Sequence, residues 1–203
     1  MGITKARKVP GKPFASIQRF APSVVGMYLQ MLLFFIFPTN FAITASANAS
    51  LSGQDITLIM VGLEIVAAIV GVFFGRMMMT MKRSMKYQAP VLFIMGYLAY
   101  SLGVSLFCLI LGSVLVGVAN GIGMPYLNTI ASIKGGKDAA TTVMPLISAA
   151  LYLGQFTSPL IVSPLSHLID SLTAPYMIGV IFGIIYLIQA FCTRKYQALA
   201  PVR

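Results

Sequence analysis

Residues 89–133 contain no charged side chain and almost no break in apolar character. As one helix at about 1.5 Å per residue, the stretch would be roughly twice as long as the ~30 Å core of a bilayer is thick. It must therefore fold back on itself, and the Ser and Gly residues between Ser101 and Ser105 are the place to do so. Four further apolar runs of spanning length flank it. A soluble surface cannot be built from such a chain. Of its 203 residues, 58% are hydrophobic and 9% are charged, against about 25% charged in an ordinary soluble domain. Mean hydropathy is +0.90.

The expected fold class is thus an all-α membrane protein with six transmembrane helices. A basic leader, residues 1–21, precedes a transmembrane domain over 22–193, and a tail covers 194–203. The expected spans are 22–45, 56–77, 89–104, 107–132, 139–165 and 175–191. The net charge of +10 does not indicate nucleic acid, because the basic residues sit in short clusters between apolar runs. These are Lys5, Arg7, Lys8, Lys12 and Arg19; Arg76, Lys82, Arg83 and Lys86; Lys134 and Lys137; and Arg194, Lys195 and Arg203. With six spans, all of them fall on one side, and the positive-inside rule makes that side cytoplasmic, with both termini on it. A cell membrane and contact with lipid follow. The first apolar run is longer than the core of a signal peptide, so cleavage is not expected. Gly2 lacks the Ser or Thr of a myristoylation site, since Ala6 stands there. Cys108 and Cys192 lie in apolar runs and suggest no disulfide framework.

Polar side chains deep in a span face a partner or a wet cavity. Glu64 is the one carboxylate near the middle of a span. Asn120 lies mid-span on the fourth run, Tyr152 and Gln155 on the fifth, and Gln30 and Asn40 on the first. At helical spacing Gly117, Asn120, Gly121, Met124 and Asn128 form one stripe, and Ser148, Tyr152, Gln155 and Pro159 another. Such stripes on Gly- and Pro-rich helices suit a substrate path. They equally suit helix–helix contact, where small and polar residues allow close approach. An isolated buried carboxylate favours its protonated form, which makes Glu64 a candidate for proton coupling. His167, beside Asp170, reads as an interfacial polar residue.

Enzyme chemistry is not expected. An intramembrane serine nucleophile needs an in-membrane His base, and the single His lies at a span end. Two Cys, one His and four acidic residues do not suggest a zinc site. There is no Walker-type phosphate loop, and no cofactor or metal is expected.

Three segments resemble the major facilitator superfamily. Gly71-Val-Phe-Phe-Gly75-Arg76, followed by Lys82-Arg83, is similar to its loop signature, Gly-x-x-x-Asp-Arg-x-Gly-Arg-Lys/Arg, with Gly75 in place of the Asp and Met78 and Met79 in place of the later Gly and Arg. Gly117-Val-Ala-Asn120-Gly121-Ile-Gly123-Met-Pro125 is similar to the tenth helix. Leu153-Gly154-Gln155-Phe156-Thr157-Ser158-Pro159-Leu160 is similar to the eleventh helix of drug:proton antiporter-like members. The leader is similar to the linker between the two halves. The resemblance implies a C-terminal six-helix half with a 3+3 repeat, whose first, second, fourth and fifth spans line a cavity. It implies a secondary transporter for a small organic molecule, working by alternating access as a proton-coupled antiporter. The other expectation is a truncated or accessory six-helix protein with no transport of its own. One half cannot enclose a path, so a homodimer or a separate N-terminal half is the expected partner.

Overall fold

The computed structural model describes residues 13–135, 139–169 and 171–193. Among the described residues the regular secondary structure is helical throughout, with α1 Pro13–Ser46, α2 Gly53–Met81, α3 Met85–Ser101, α4 Leu106–Gly135, α5 Met144–His167 and α6 Ala174–Cys192. Five of these, all but α3, are long and apolar enough to cross a membrane, which fits a multi-pass membrane protein. α3 has 17 residues, or ~25 Å of helix. It begins before the expected span and ends at Ser101, because Gly103 takes φ 136° to turn the chain into α4. α1 likewise starts at Pro13, inside the segment read as leader.

Local chemistry sets the helix ends. At the start of α2, Ser52 Oγ accepts from the Asp55 backbone N–H at 3.2 Å, while the Asp55 carboxylate accepts from the Ser52 N–H at 2.9 Å. This reciprocal box satisfies two donors that a helix start leaves open. At its other end Lys82 adopts φ 42°, an uncommon conformation for a residue with a side chain. A short 3-10 turn, Lys82–Ser84, then leads into α3. A π-helical turn, Ala139–Val143, leads into α5. Asn48 donates its side-chain N–H to the Val104 carbonyl at 2.7 Å, tying the α1–α2 and α3–α4 connections together.

Packing forms two layers. α2 lies on α4, α4 on α1 and α1 on α5, giving the row α2–α4–α1–α5; α3 and α6 pack on each other behind it, α3 against α4 and α6 against α1. α1 is the centre of this arrangement, with 67% of its apolar window buried, whereas α2 has 11%. The core at the end away from the basic clusters is aromatic. Tyr97, Tyr100 and Tyr176 stack there with Phe37, Phe41 and Phe93. Two of the three tyrosine hydroxyls are used: Tyr97 donates to the Leu33 carbonyl, and Tyr100 shares a 2.7 Å hydrogen bond with Ser113, while the buried Tyr176 hydroxyl has no partner among the described residues.

Candidate functional site

The two helix pairs that build the row are seated by small residues. A Cβ on Gly117 would lie 2.7 Å from the Leu63 carbonyl of α2, and one on Gly121 2.5 Å from the Ala67 carbonyl. Backbone cannot yield, so these glycines let α2 and α4 approach closely. On the other arm, a Cβ on Gly154 would lie 2.5 Å from the Tyr28 carbonyl of α1. One turn along, Ser158 Oγ donates to the Leu32 carbonyl at 2.8 Å, and Thr157 donates to the Tyr28 hydroxyl at 3.0 Å. The glycines of the α4 stripe are therefore used for helix packing, whereas on α5 the packing residues Gly154 and Ser158 lie outside the Ser148–Tyr152–Gln155–Pro159 stripe, whose Ser148 is exposed. Gly154-x-x-x-Ser158 could have been read as such a seat from its spacing alone; the Thr157–Tyr28 bond had no sequence signal.

The candidate polar residues divide into three groups. Gln30 and Asn120 come together at the α1–α4 contact, where Gln30 Nε2 donates to Asn120 Oδ1 at 3.3 Å. Gln30 is fully buried, and Asn120 is half-buried. The Gln30 Oε1 has no hydrogen-bond partner among the described residues and rests over Gly123. Asn40 stands apart. Its side chain donates to the Ile36 carbonyl and to Thr39 Oγ1 of its own helix, both at 2.9 Å. It lines a recess of about 310 Å³ at the end of the bundle, with Thr44, Ser166, His167, Ser171 and Pro175.

Glu64, Tyr152 and Gln155 form the third group, on the two outer helices of the row. α2 buries Ile56, Leu63, Ala67 and Phe74. With about 100° between successive residues, Glu64, Thr57, Ala68, Gly71 and Gly75 share one flank of α2. The large exposed side chains Leu58, Ile65, Ile69 and Phe73 lie on the other side. Glu64 is exposed. A Cβ on Gly71 or Gly75 would meet nothing within 4 Å, and Arg76 is exposed beyond them. α5 buries Ile147, Ala150, Gly154, Ser158 and Val162. One of its flanks carries the half-buried Gln155 with Ser148 and Tyr152, the last 67% exposed; Leu153, Phe156 and Leu160 project from the other side.

With the α2–α4 and α1–α5 contacts as fixed points, the right-handed sense of each helix turns the Glu64 flank and the Gln155 flank to the same side of the row. Glu64 lies ~17 Å along α2 from its start, and Gln155 ~18 Å from the end of α5. Those two helix ends are at the same end of the bundle, so the two side chains lie at matching depth on flanks turned to the same side of the row. What these two flanks offer chemically is one ionisable carboxyl, the Gln155 carboxamide and the hydroxyls of Tyr152, Thr57 and Ser148. Among the described residues no three His, Cys, Asp or Glu side chains converge to hold a metal. A scan of protein-family models, a search of curated proteins and a search of solved structures each returned no match for this chain.

Proposed function

We propose that this chain is one six-helix half of a secondary transporter of the cell membrane, moving a small organic molecule by alternating access in exchange for protons. The observation that carries the reading is the placement of Glu64. A carboxylate exposed halfway along an apolar helix costs about 2.5–3.5 kcal/mol to insert into the bilayer core. On a flank that water reaches, at the depth of Gln155, it can gain and release a proton. Protonation makes the flank neutral, and release restores a negative charge suited to an organic cation. α3 counts as the sixth span in this reading, and both termini are cytoplasmic.

The helix pairing supports the same reading. Exchanging α1 with α4, α2 with α5 and α3 with α6 turns the α1–α5 contact into α2–α4 and the α3–α4 contact into α1–α6. It returns α3–α6 and α1–α4 to themselves. An inverted three-helix repeat has this property, and transporter folds use such repeats with binding sites near the midplane. In the major facilitator resemblance the repeat would be the 3+3 unit of one half.

A second reading, an accessory membrane protein without transport, is favoured by one feature. Gln30 and Asn120 are spent on holding α1 to α4, so some of the polar residues are structural. Proteoliposomes separate the two. With the chain reconstituted alone and a fluorescent organic cation, ethidium, as probe, the transporter reading expects flux that follows an imposed proton gradient. Flux equal to that of protein-free liposomes would leave the accessory reading.

A further inference from the structure

We propose that the recess where α1 and α5 end is a binding site for a small primary ammonium compound, an amine carrying a short apolar arm. No residue of α2 lines it, so the site is separate from Glu64 and stands whether or not the chain transports anything.

The polar lining of the recess is made of acceptors. Hydroxyls on a helix can give their protons to carbonyls of the preceding turn, and two of those in the recess do so. Thr44 Oγ1 donates to the Asn40 carbonyl at 3.1 Å, and Ser166 Oγ donates to the Val162 carbonyl at 2.7 Å. Lone pairs are what they keep for a ligand. Asn40 has spent its amide N–H groups in the same way, on Ile36 and Thr39, which leaves Oδ1 without a hydrogen-bond partner among the described residues. His167 adds an imidazole whose neutral form offers one acceptor more. Asn40 and Thr44, one turn apart on α1, and Ser166 on α5 thus present three acceptors, equal in number to the N–H donors of a primary ammonium.

The helix ends give the recess the same sign. α1 ends at Ser46 and α5 at His167, so both present the negative ends of their dipoles here. α6 starts at this end, but its first N–H groups are already bonded. Ala174 donates to the Ser171 carbonyl at 3.1 Å, and Tyr176 and Met177 donate to the Thr173 carbonyl at 3.0 and 3.3 Å. Pro175 has no N–H to offer. Tyr176 is fully enclosed, so its hydroxyl adds no donor to the recess. Residues 20–75 and 138–193 contain no Lys or Arg, so the stretches that build the recess hold neither to compete with a ligand's charge. Asp170 lies outside the described residues.

Size and walls set the rest of the ligand. Ile43, Ile169, Leu172 and Pro175 make the remaining lining apolar. At about 310 Å³ the recess is at the low end of ligand pockets, which run from about 300 to 1,000 Å³. An inorganic ion would leave the apolar walls unused, and a large drug would overfill the space. An amine with one ring or a short chain uses both parts.

Phenethylammonium is the probe, titrated onto the full chain in nanodiscs and followed by saturation-transfer NMR, with empty nanodiscs as the blank. Phenethyltrimethylammonium carries the same charge and ring without an N–H donor, and phenylacetate reverses the charge. The expected result is saturable binding of phenethylammonium, binding of the quaternary compound weaker by about tenfold, and no binding of phenylacetate above the blank. Ser166→Ala and Asn40→Leu should each weaken phenethylammonium binding several-fold, whereas Ser84→Ala, exposed at the other end of the bundle, should not. If the unfolding temperature shows that Asn40→Leu impairs folding, Ser166→Ala alone carries the comparison. Binding no greater than the blank overturns the proposal. So does equal affinity for the primary and quaternary compounds, a preference for phenylacetate, or wild-type affinity in Ser166→Ala. Phenethylammonium bound by a chain with no gradient-driven ethidium flux would uphold the site and count against the transporter reading alone. Flux without this binding would remove the site and leave that reading.

Discussion

The carboxamide of Gln30 occupies the space that a side chain on Gly123 would need, so α1 and α4 are keyed together by one large polar residue and one glycine. The same carboxamide donates to Asn120 one turn away, which fixes the axial register of the two central helices. Interhelical hydrogen bonds of this kind average only about 0.6 kcal/mol in a membrane. Steric fit therefore contributes more to the register than the hydrogen bond does.

Gly123→Ala should lower stability by about 1–3 kcal/mol, the usual cost of overpacking a core. In a Gln30→Ala background the same change should cost far less, because the opposing carboxamide is gone. A double-mutant cycle on unfolding in detergent measures the difference, which is attributable to this contact. Additive effects would mean that Gln30 and Gly123 do not touch.

Glycines on the two sides of the row should respond in opposite ways. Gly121→Ala places a methyl 2.5 Å from the Ala67 carbonyl and should loosen α2 from α4, with a clear fall in the unfolding temperature. Gly71→Ala and Gly75→Ala enter open space within the six-helix unit and should leave the unfolding temperature of a detergent-solubilised monomer unchanged or slightly higher, since Ala is the better helix former. A comparable loss at all three positions would contradict the assigned packing of α2.

Ser50 and Ser84 should label from opposite sides of the membrane. Both are exposed, at the two ends of α2. Impermeant maleimide applied to intact cells carrying Ser50→Cys or Ser84→Cys, without Cys108 and Cys192, should modify only the Ser50 position. Modification of both from outside would remove the orientation inferred from the basic clusters.

The helices were legible in the sequence because each is a long apolar run bounded by a clear stop. Gly103 and the basic clusters at 82–86 and 134–137 are such stops. Bounds were less so: the third span was expected at 89–104, whereas α3 runs Met85–Ser101, beginning a turn earlier and ending before the Gly103 turn. The roles of the polar residues divided along the same line. Period alone groups Glu64 with Gly71 and Gly75, and Gln155 with Ser148 and Tyr152, but does not tell which side of each helix is buried: on α2 the small residues Gly71 and Gly75 lie on the open flank. The pairing of Gln30 with Asn120, 90 residues apart in the chain, depends on which helices neighbour which, and periodicity holds no information on that. Asn40 shows the reverse case. Its depth suggested a midplane role, yet it bonds its own helix and lines the terminal recess.

The role of Glu64 is reached most directly by the pH dependence of flux. Ethidium transport in proteoliposomes should be measured across external pH at a fixed gradient, for the wild type and for Glu64→Gln reconstituted at equal density. The Gln variant keeps the shape and hydrogen bonding of the side chain and cannot release a proton. If Glu64 carries the coupling, flux in the variant loses its dependence on pH and gradient while the chain still folds. A variant that retains the wild-type pH profile would show that Glu64 takes no part in coupling, and would contradict the claim on which the proposed function stands.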